Sequence, residues 1–131
     1  MKPDIALEGD FEFFSTRRHG EVIWMNFSKN LLILATRFQN RETLLHYLDA
    51  VERNEKIKVL VLYSSLAESG HREYVEFFEE ARKVDNQNAI KILCNVYSEI
   101  ILKLFSFNKI VIHVTSDRVI PLFLNVSLAC D

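Results

Sequence analysis

Ile57-Lys58-Val59-Leu60-Val61-Leu62-Tyr63 is the stretch on which the fold turns. All but Lys58 are aliphatic or aromatic, and so unbroken a run suits a strand covered on both faces, as inside a parallel sheet. A parallel neighbour requires a crossover, usually a helix, and helical spacing stands on both sides of the run. Upstream, Leu44, Leu45, Leu48 and Val51 keep the 3.6 period in a helix that Asn40 can cap and that ends near Asn54. Downstream, the spacing predicts a helix from Arg72 to about Val84, with Tyr74, Phe77, Phe78 and Ala81 on one side and Glu76, Glu79 and Glu80 on the other. Asp85-Asn86-Gln87-Asn88 breaks it, and a longer helix follows through Ile90, Leu93, Cys94, Tyr97, Ile101, Leu104 and Phe105. Ile110-Val111-Ile112-His113-Val114-Thr115 then reads as a second strand of the buried type. After the turn Ser116-Asp117-Arg118, an apolar segment carrying Pro121 predicts a last helix from about Val119 or Ile120 to Ala129.

Toward the N-terminus, Phe11 to Phe14 and Val22 to Phe27 form a hairpin across the polar stretch Arg17-Arg18-His19-Gly20-Glu21. With the short run Leu31 to Leu34 taken as a strand, the order is hairpin, strand, helix, strand, helix, helix, strand, helix, which is an α/β chain. Its 131 residues suit one domain, residues 1–131, and 49% hydrophobic with 26% charged residues suits a core that folds in water. A net charge of −2 offers no basic field for a phosphate backbone, so nucleic acid is not expected as a partner. The N-terminus has no long apolar stretch after Lys2, and nowhere do about 18 apolar residues follow one another. No membrane partner and a cytoplasmic location are therefore expected. Cys94 and Cys130 lack metal or redox spacing and sit in apolar runs, so both read as buried reduced thiols.

The carboxyl ends of parallel strands are where ligands bind in open α/β sheets, which singles out Ser64 and Ser65. No G-x-S-x-G elbow surrounds them, so a turn that closes the strand is the plainer reading. The histidines His19, His46, His71 and His113 show no metal-ligand spacing, and no metal site is expected. His113, inside an apolar strand, must find a hydrogen-bond partner if it is buried. The glutamates 68, 73, 76, 79 and 80 read as a solvated helix face before any acid–base pair.

Lys109 to Asp131 resembles, without a gap, the segment K-P-V-I-A-A-V-N-G-x-A-x-G-G-G-L-E-L-A-L-A-C-D of the enoyl-CoA hydratase/isomerase (crotonase) superfamily. Leu128-Ala129-Cys130-Asp131 carries the most specific part of the likeness. Gly20 to Asn26 is similar to the family's first long strand, Glu42 to Arg53 to its first helix, and Lys58 to Tyr63 to its V-V-L-T strand. Residues 90–107 stand where the family has the helix before K-P-V-I-A. The resemblance implies the crotonase-like (ClpP/crotonase) fold, a β-sheet flanked by helices, over the N-terminal half of the family's domain. Since that domain continues past A-C-D, the apolar helix closing at Asp131 reads as the N-terminal part of a longer architecture.

Crotonases bind a CoA thioester so that its carbonyl oxygen meets two backbone N–H groups. The resemblance puts the first donor segment, F-S-A-G-A-D in the family, at Ser64 to His71, where only Gly70 is recognisable and where Ser64, Ser65, Ala67 and His71 are the candidates to touch a thioester. The second, G-G-G, falls on Pro121-Leu122-Phe123. Pro121 has no N–H, and Leu122 and Phe123 hinder a close approach. The acid–base Glu falls at Asn125, which carries no carboxylate. An oxyanion-hole donor is worth roughly 2.7 to 4 kcal/mol where measured, so Leu122, Asn125 and Gly70 mark a degenerate site with no catalytic residue. Expected is a non-catalytic crotonase-like module without a cofactor, whose apolar faces are covered by homo-oligomerisation or a partner protein. Two alternatives stay open: a divergent acyl-CoA-binding enzyme using His71, His113 or Asp117, and a small α/β regulatory domain using Ser64 or Ser65.

Overall fold

The computed structural model describes residues 6–29, 31–34, 37–64, 71–83, 87–115 and 126–131. The hairpin forms, though its strands are longer and its turn tighter than the polar residues suggested. Strand β1 (Gly9–Asp10) pairs with β2 (Phe14–His19), and β2 pairs antiparallel with β3 (Val22–Phe27). His19 faces Val22, which leaves only Gly20 and Glu21 in the loop, and Gly20 has φ +62°. A two-residue loop between twisted strands needs such a residue, and glycine adopts it without the Cβ penalty. Arg17 to His19 stay in the ladder because their even and odd positions alternate between the two sheet faces.

After β3, residues Leu31–Leu34 form a helical turn, α1, where a strand was expected. A four-residue apolar run carries too little periodicity to choose between the two states, and Leu34 is buried in the helical layer. Helix α2 (Phe38–Arg53) starts after Arg37, two residues before the Asn40 proposed as its cap. The Asn40 side-chain amide donates instead to Glu12 at 2.9 Å. The C-terminal end falls at Asn54, as the sequence indicated, with the Asn54 amide donating to the Val51 carbonyl.

Strand β4 (Val59–Ser64) runs parallel to β3, and β5 (Ile110–His113) runs parallel to β4, giving the sheet order β1-β2-β3-β4-β5. The long crossover consists of α3 (His71–Lys83) and α4 (Gln87–Phe105). Gln87 and Asn88, read as helix breakers, lie inside α4, while Asp85 and Asn86 fall outside the described residues.

One sheet face carries Phe14, Thr16, Ile23, Met25, Phe27, Leu60, Leu62 and Val111, all buried. Against it pack Leu44, Tyr47, Leu48 and Val51 of α2 with Ile100 and Leu104 of α4. Tyr47 anchors the N-terminal segment: its hydroxyl donates to the Leu7 carbonyl at 2.7 Å, and its ring meets Phe11 and Phe14 edge-on. The other face behaves differently, and β5 is not the doubly buried strand the sequence suggested. Ile110 and Ile112 are exposed while Val111 is buried. Phe105 and Cys94 on α4, both read as buried, are exposed as well. The last predicted helix is described only at residues 126–128, a helical turn closed by the Ala129 amide on the Val126 carbonyl.

Candidate functional site at the carboxyl ends of the parallel strands

Parallel register brings the ends of β3, β4 and β5 together: Phe27 faces Ser64, and Leu62 faces His113. Ser64, a candidate from the sequence, is placed at this edge. Its hydroxyl donates to the Phe27 carbonyl at 3.0 Å, tying the two strand ends together, which is the turn-closing role already weighed for it. Ser65, Ala67, Gly70, Leu122 and Asn125 lie outside the described residues, as do Pro121, Phe123, Asp117 and the side chain of His71.

His113 does find the partner its position demanded. Its Nδ1 lies 2.7 Å from Ser127 Oγ, across the gap between β5 and the final helical turn. Burial lowers its pKa from the ordinary histidine value, which keeps the ring neutral at pH 7. A neutral imidazole on a serine hydroxyl is the geometry of a base and its nucleophile. Nucleophilic catalysis also needs donors for the developing oxyanion, and among the described residues none is placed there. The pair serves to satisfy a polar ring at the edge of an apolar core.

Sequence reasoning missed Asp131. Its amide donates to the Val111 carbonyl at 2.8 Å, and its Oδ2 accepts from the Val111 amide at 2.9 Å. One aspartate thus occupies both backbone groups on the outer edge of β5, where a sixth strand would pair. A quoted A-C-D ending gives no hint of this, because the contact lies twenty residues back along the chain. Cys130 is half-buried beside it, its thiol pushed up to about 11 by burial and then by the Asp131 charge.

No protein-family model matches the sequence, and no curated protein matches it. Solved structures do. A structure of an enoyl-CoA hydratase/carnithine racemase from Magnetospirillum magneticum aligns with a TM-score of 0.70 at 14% identity, over 93% of this chain and 45% of its own. An enoyl-CoA hydratase/isomerase from Marinobacter aquaeolei aligns with a TM-score of 0.70 at 16% identity, over 92% and 47%. A probable enoyl-CoA hydratase/isomerase from Mycobacterium abscessus gives 0.67 at 18%, over 92% and 44%. The chain has the crotonase fold. It spans about half the length of these structures, corresponding to the N-terminal half of the fold.

Within this crotonase-fold half, two cavities adjoin described side chains. An apolar void of about 10 Å³ lies among Met25, Leu44, Leu48, Leu62, Ile100 and Val126. It has room for about one water and no polar wall to hold it, so it is a packing defect in the core rather than a ligand site. An open groove of about 400 Å³ runs between α2 and α4, with Leu45 and Leu102 as its apolar part and Glu42, Asp49 and Glu99 around them. His46 Nε2 stands 3.7 Å from Glu42 there. Lys103 joins Asp49 at 2.7 Å and also Glu52. Burial opposes the charge on Lys103, but the two carboxylates outweigh it and hold its pKa above the ordinary lysine value. The groove is a neutralised polar seam. Among the described residues no group of three His, Cys, Asp or Glu side chains is placed to hold a metal ion, and no helix is long and apolar enough to cross a membrane.

Proposed function

We propose that this chain is a crotonase-fold association module that neither hydrates nor isomerises enoyl-CoA thioesters. The observation that carries the reading is the second face of the sheet. Trp24 stands at the middle of β3, an interior strand, yet is 39% exposed, and Ile112 opposite it on β5 is 43% exposed. An interior strand exposes a tryptophan only when no layer covers that face, and an uncovered apolar face of this extent marks an interaction surface.

The sequence supports the same reading from the chemical side. Pro121 stands where the family supplies a backbone donor, and Asn125 where it supplies the acid–base carboxylate. Asparagine can neither give up nor take a proton as a carboxylate does. His71, His113 and Asp117 do not assemble a substitute: His113 is already engaged with Ser127.

Titration with acetyl-CoA and crotonyl-CoA, followed by calorimetry and by the absorbance of the enoyl thioester, tests the proposal. No saturable binding up to millimolar thioester, together with a mass above that of the monomer in sedimentation, is the expected result. Micromolar binding or consumption of crotonyl-CoA would overturn it in favour of a divergent acyl-CoA enzyme.

A further inference from the structure

We infer that the occupant of the open sheet face is a second copy of this chain, packed sheet against sheet about a two-fold axis along β4. The inference rests on the association reading above and names its partner. Because Ile23, Met25 and Phe27 point into the core, the alternate positions Val22, Trp24 and Asn26 point the other way. Register extends these into rows. Val22 aligns with Val59 and Ile110, Trp24 with Val61 and Ile112, and Asn26 with Tyr63. Val114, whose amide continues the ladder onto the Leu62 carbonyl, adds a further exposed apolar side chain beyond Ile112.

Across β3, β4 and β5, then, the outward positions contain no charged residue. A basic or acidic partner would find nothing to pair with, whereas a copy of the same neutral apolar face matches it. Charge depletion is also the compositional mark of an interface centre. Arg17, on the β2 flank in the Trp24 row, is already paired with Asp10 at 2.9 Å and so lies at the rim.

The relief of the face is self-complementary. Val61 is nearly buried at the middle, forming a floor between Trp24 and Ile112, and the Trp24 ring stands edge-on to Tyr63 with centroids 6.0 Å apart. A two-fold axis along β4 exchanges β3 with β5. It therefore sets the tall Trp24 of one copy over the lower Ile112 of the other, and Val61 over Val61, at the ordinary spacing of about 10 Å between packed sheets.

Size decides the strength. Three strands about 4.8 Å apart and six residues long make a patch of roughly 15 by 20 Å. That is well short of the roughly 800 Å² per partner of a standard stable interface. The dimer should accordingly be reversible, dissociating in the micromolar range.

Sedimentation equilibrium from low-micromolar to near-millimolar concentration reads the stoichiometry, and Trp24, the single tryptophan, reports on the face itself. The expected result is a monomer–dimer equilibrium in which acrylamide quenching of Trp24 falls as the dimer fills. Ile112→Lys should weaken association by about 100-fold or more, and Trp24→Lys likewise. Both variants keep a native circular dichroism spectrum, since these side chains lie outside the core. A mass that stays monomeric at every concentration would overturn the inference. So would a dimer unaffected by Ile112→Lys, which would place the contact elsewhere, and so would a Trp24 shielded from acrylamide in the monomer, which would mean that the face is covered within the chain. Turnover of crotonyl-CoA alongside the expected dimer would remove the non-catalytic reading and leave this one standing.

Discussion

The two cysteines show how much a single position depends on which side of an element it faces. Both sit in apolar runs, and the composition of such runs points to burial; yet Cys94 falls on the outer side of α4, while Cys130 is half-buried with its Sγ directed at the Val126 carbonyl 3.1 Å away. Thiolate is the reactive form. With its thiol pushed up to about 11, Cys130 should react slowly with a disulfide reagent at pH 8, whereas Cys94 reacts at the rate of a solvent-exposed thiol. One fast and one slow equivalent in a thiol titration is the expected outcome; two fast equivalents would mean that the last turn does not pack on β5.

Tyr47 carries a similar argument about pH. Burial foremost, and the nearby Glu8 charge, push its phenol up to about 12 from 10.0. A group with a raised folded-state pKa contributes stability that is intact below the unfolded value and is lost as pH rises through the folded one. Stability should thus fall between pH 10 and pH 12, and Tyr47→Phe should flatten that part of the curve in urea denaturation. At neutral pH the same change removes the bond to Leu7 and should cost about 1 kcal/mol.

At the scale of elements, legibility followed the length and purity of the pattern. Strand β4 was readable because its apolar run is unbroken, and α2 because four positions hold one period. The hairpin was readable from the apolar segments on either side of Gly20. Leu31–Leu34 was misread because four residues are shorter than one unambiguous period. The exposure of β5 could not be read at all: Ile110-Val111-Ile112 is apolar on both faces, and only the location of the covering helices decides which face is buried. Asp131 is the sharper case, since its role exists only in the pairing with Val111. Asp131→Ala removes the acceptor for the Val111 amide at the sheet edge, and a loss of about 1 kcal/mol is expected from this unpaired donor, read as a lower urea midpoint with an unchanged m-value. Asp131→Asn keeps an acceptor oxygen and should recover most of the loss. The candidate site was legible only at its strand end, Ser64, because the thioester-binding segments of crotonases are loops whose geometry depends on glycine, which this chain replaces.

The whole molecule is half of a layered architecture. Helices α2 and α4 bury one face of a five-stranded sheet, and the second face keeps an apolar surface with no layer on it among the described residues. A domain with a single covered face gains less from burial than one with two, so association should be visible as added stability. Anything that binds the folded state alone raises the midpoint in proportion to the logarithm of its concentration, and here the binding species is the protein itself. Raising its concentration about 100-fold across the dimer range should therefore lift the Tm by roughly 5 °C. The Ile112→Lys variant supplies the control, because its core is intact and only its open face is charged. Its Tm should stay flat with concentration and coincide with that of the wild-type chain at high dilution. A wild-type Tm equally insensitive to concentration would mean that the uncovered sheet face is tolerated in the monomer, and that the solvent-facing Trp24 row contributes nothing to holding the fold together.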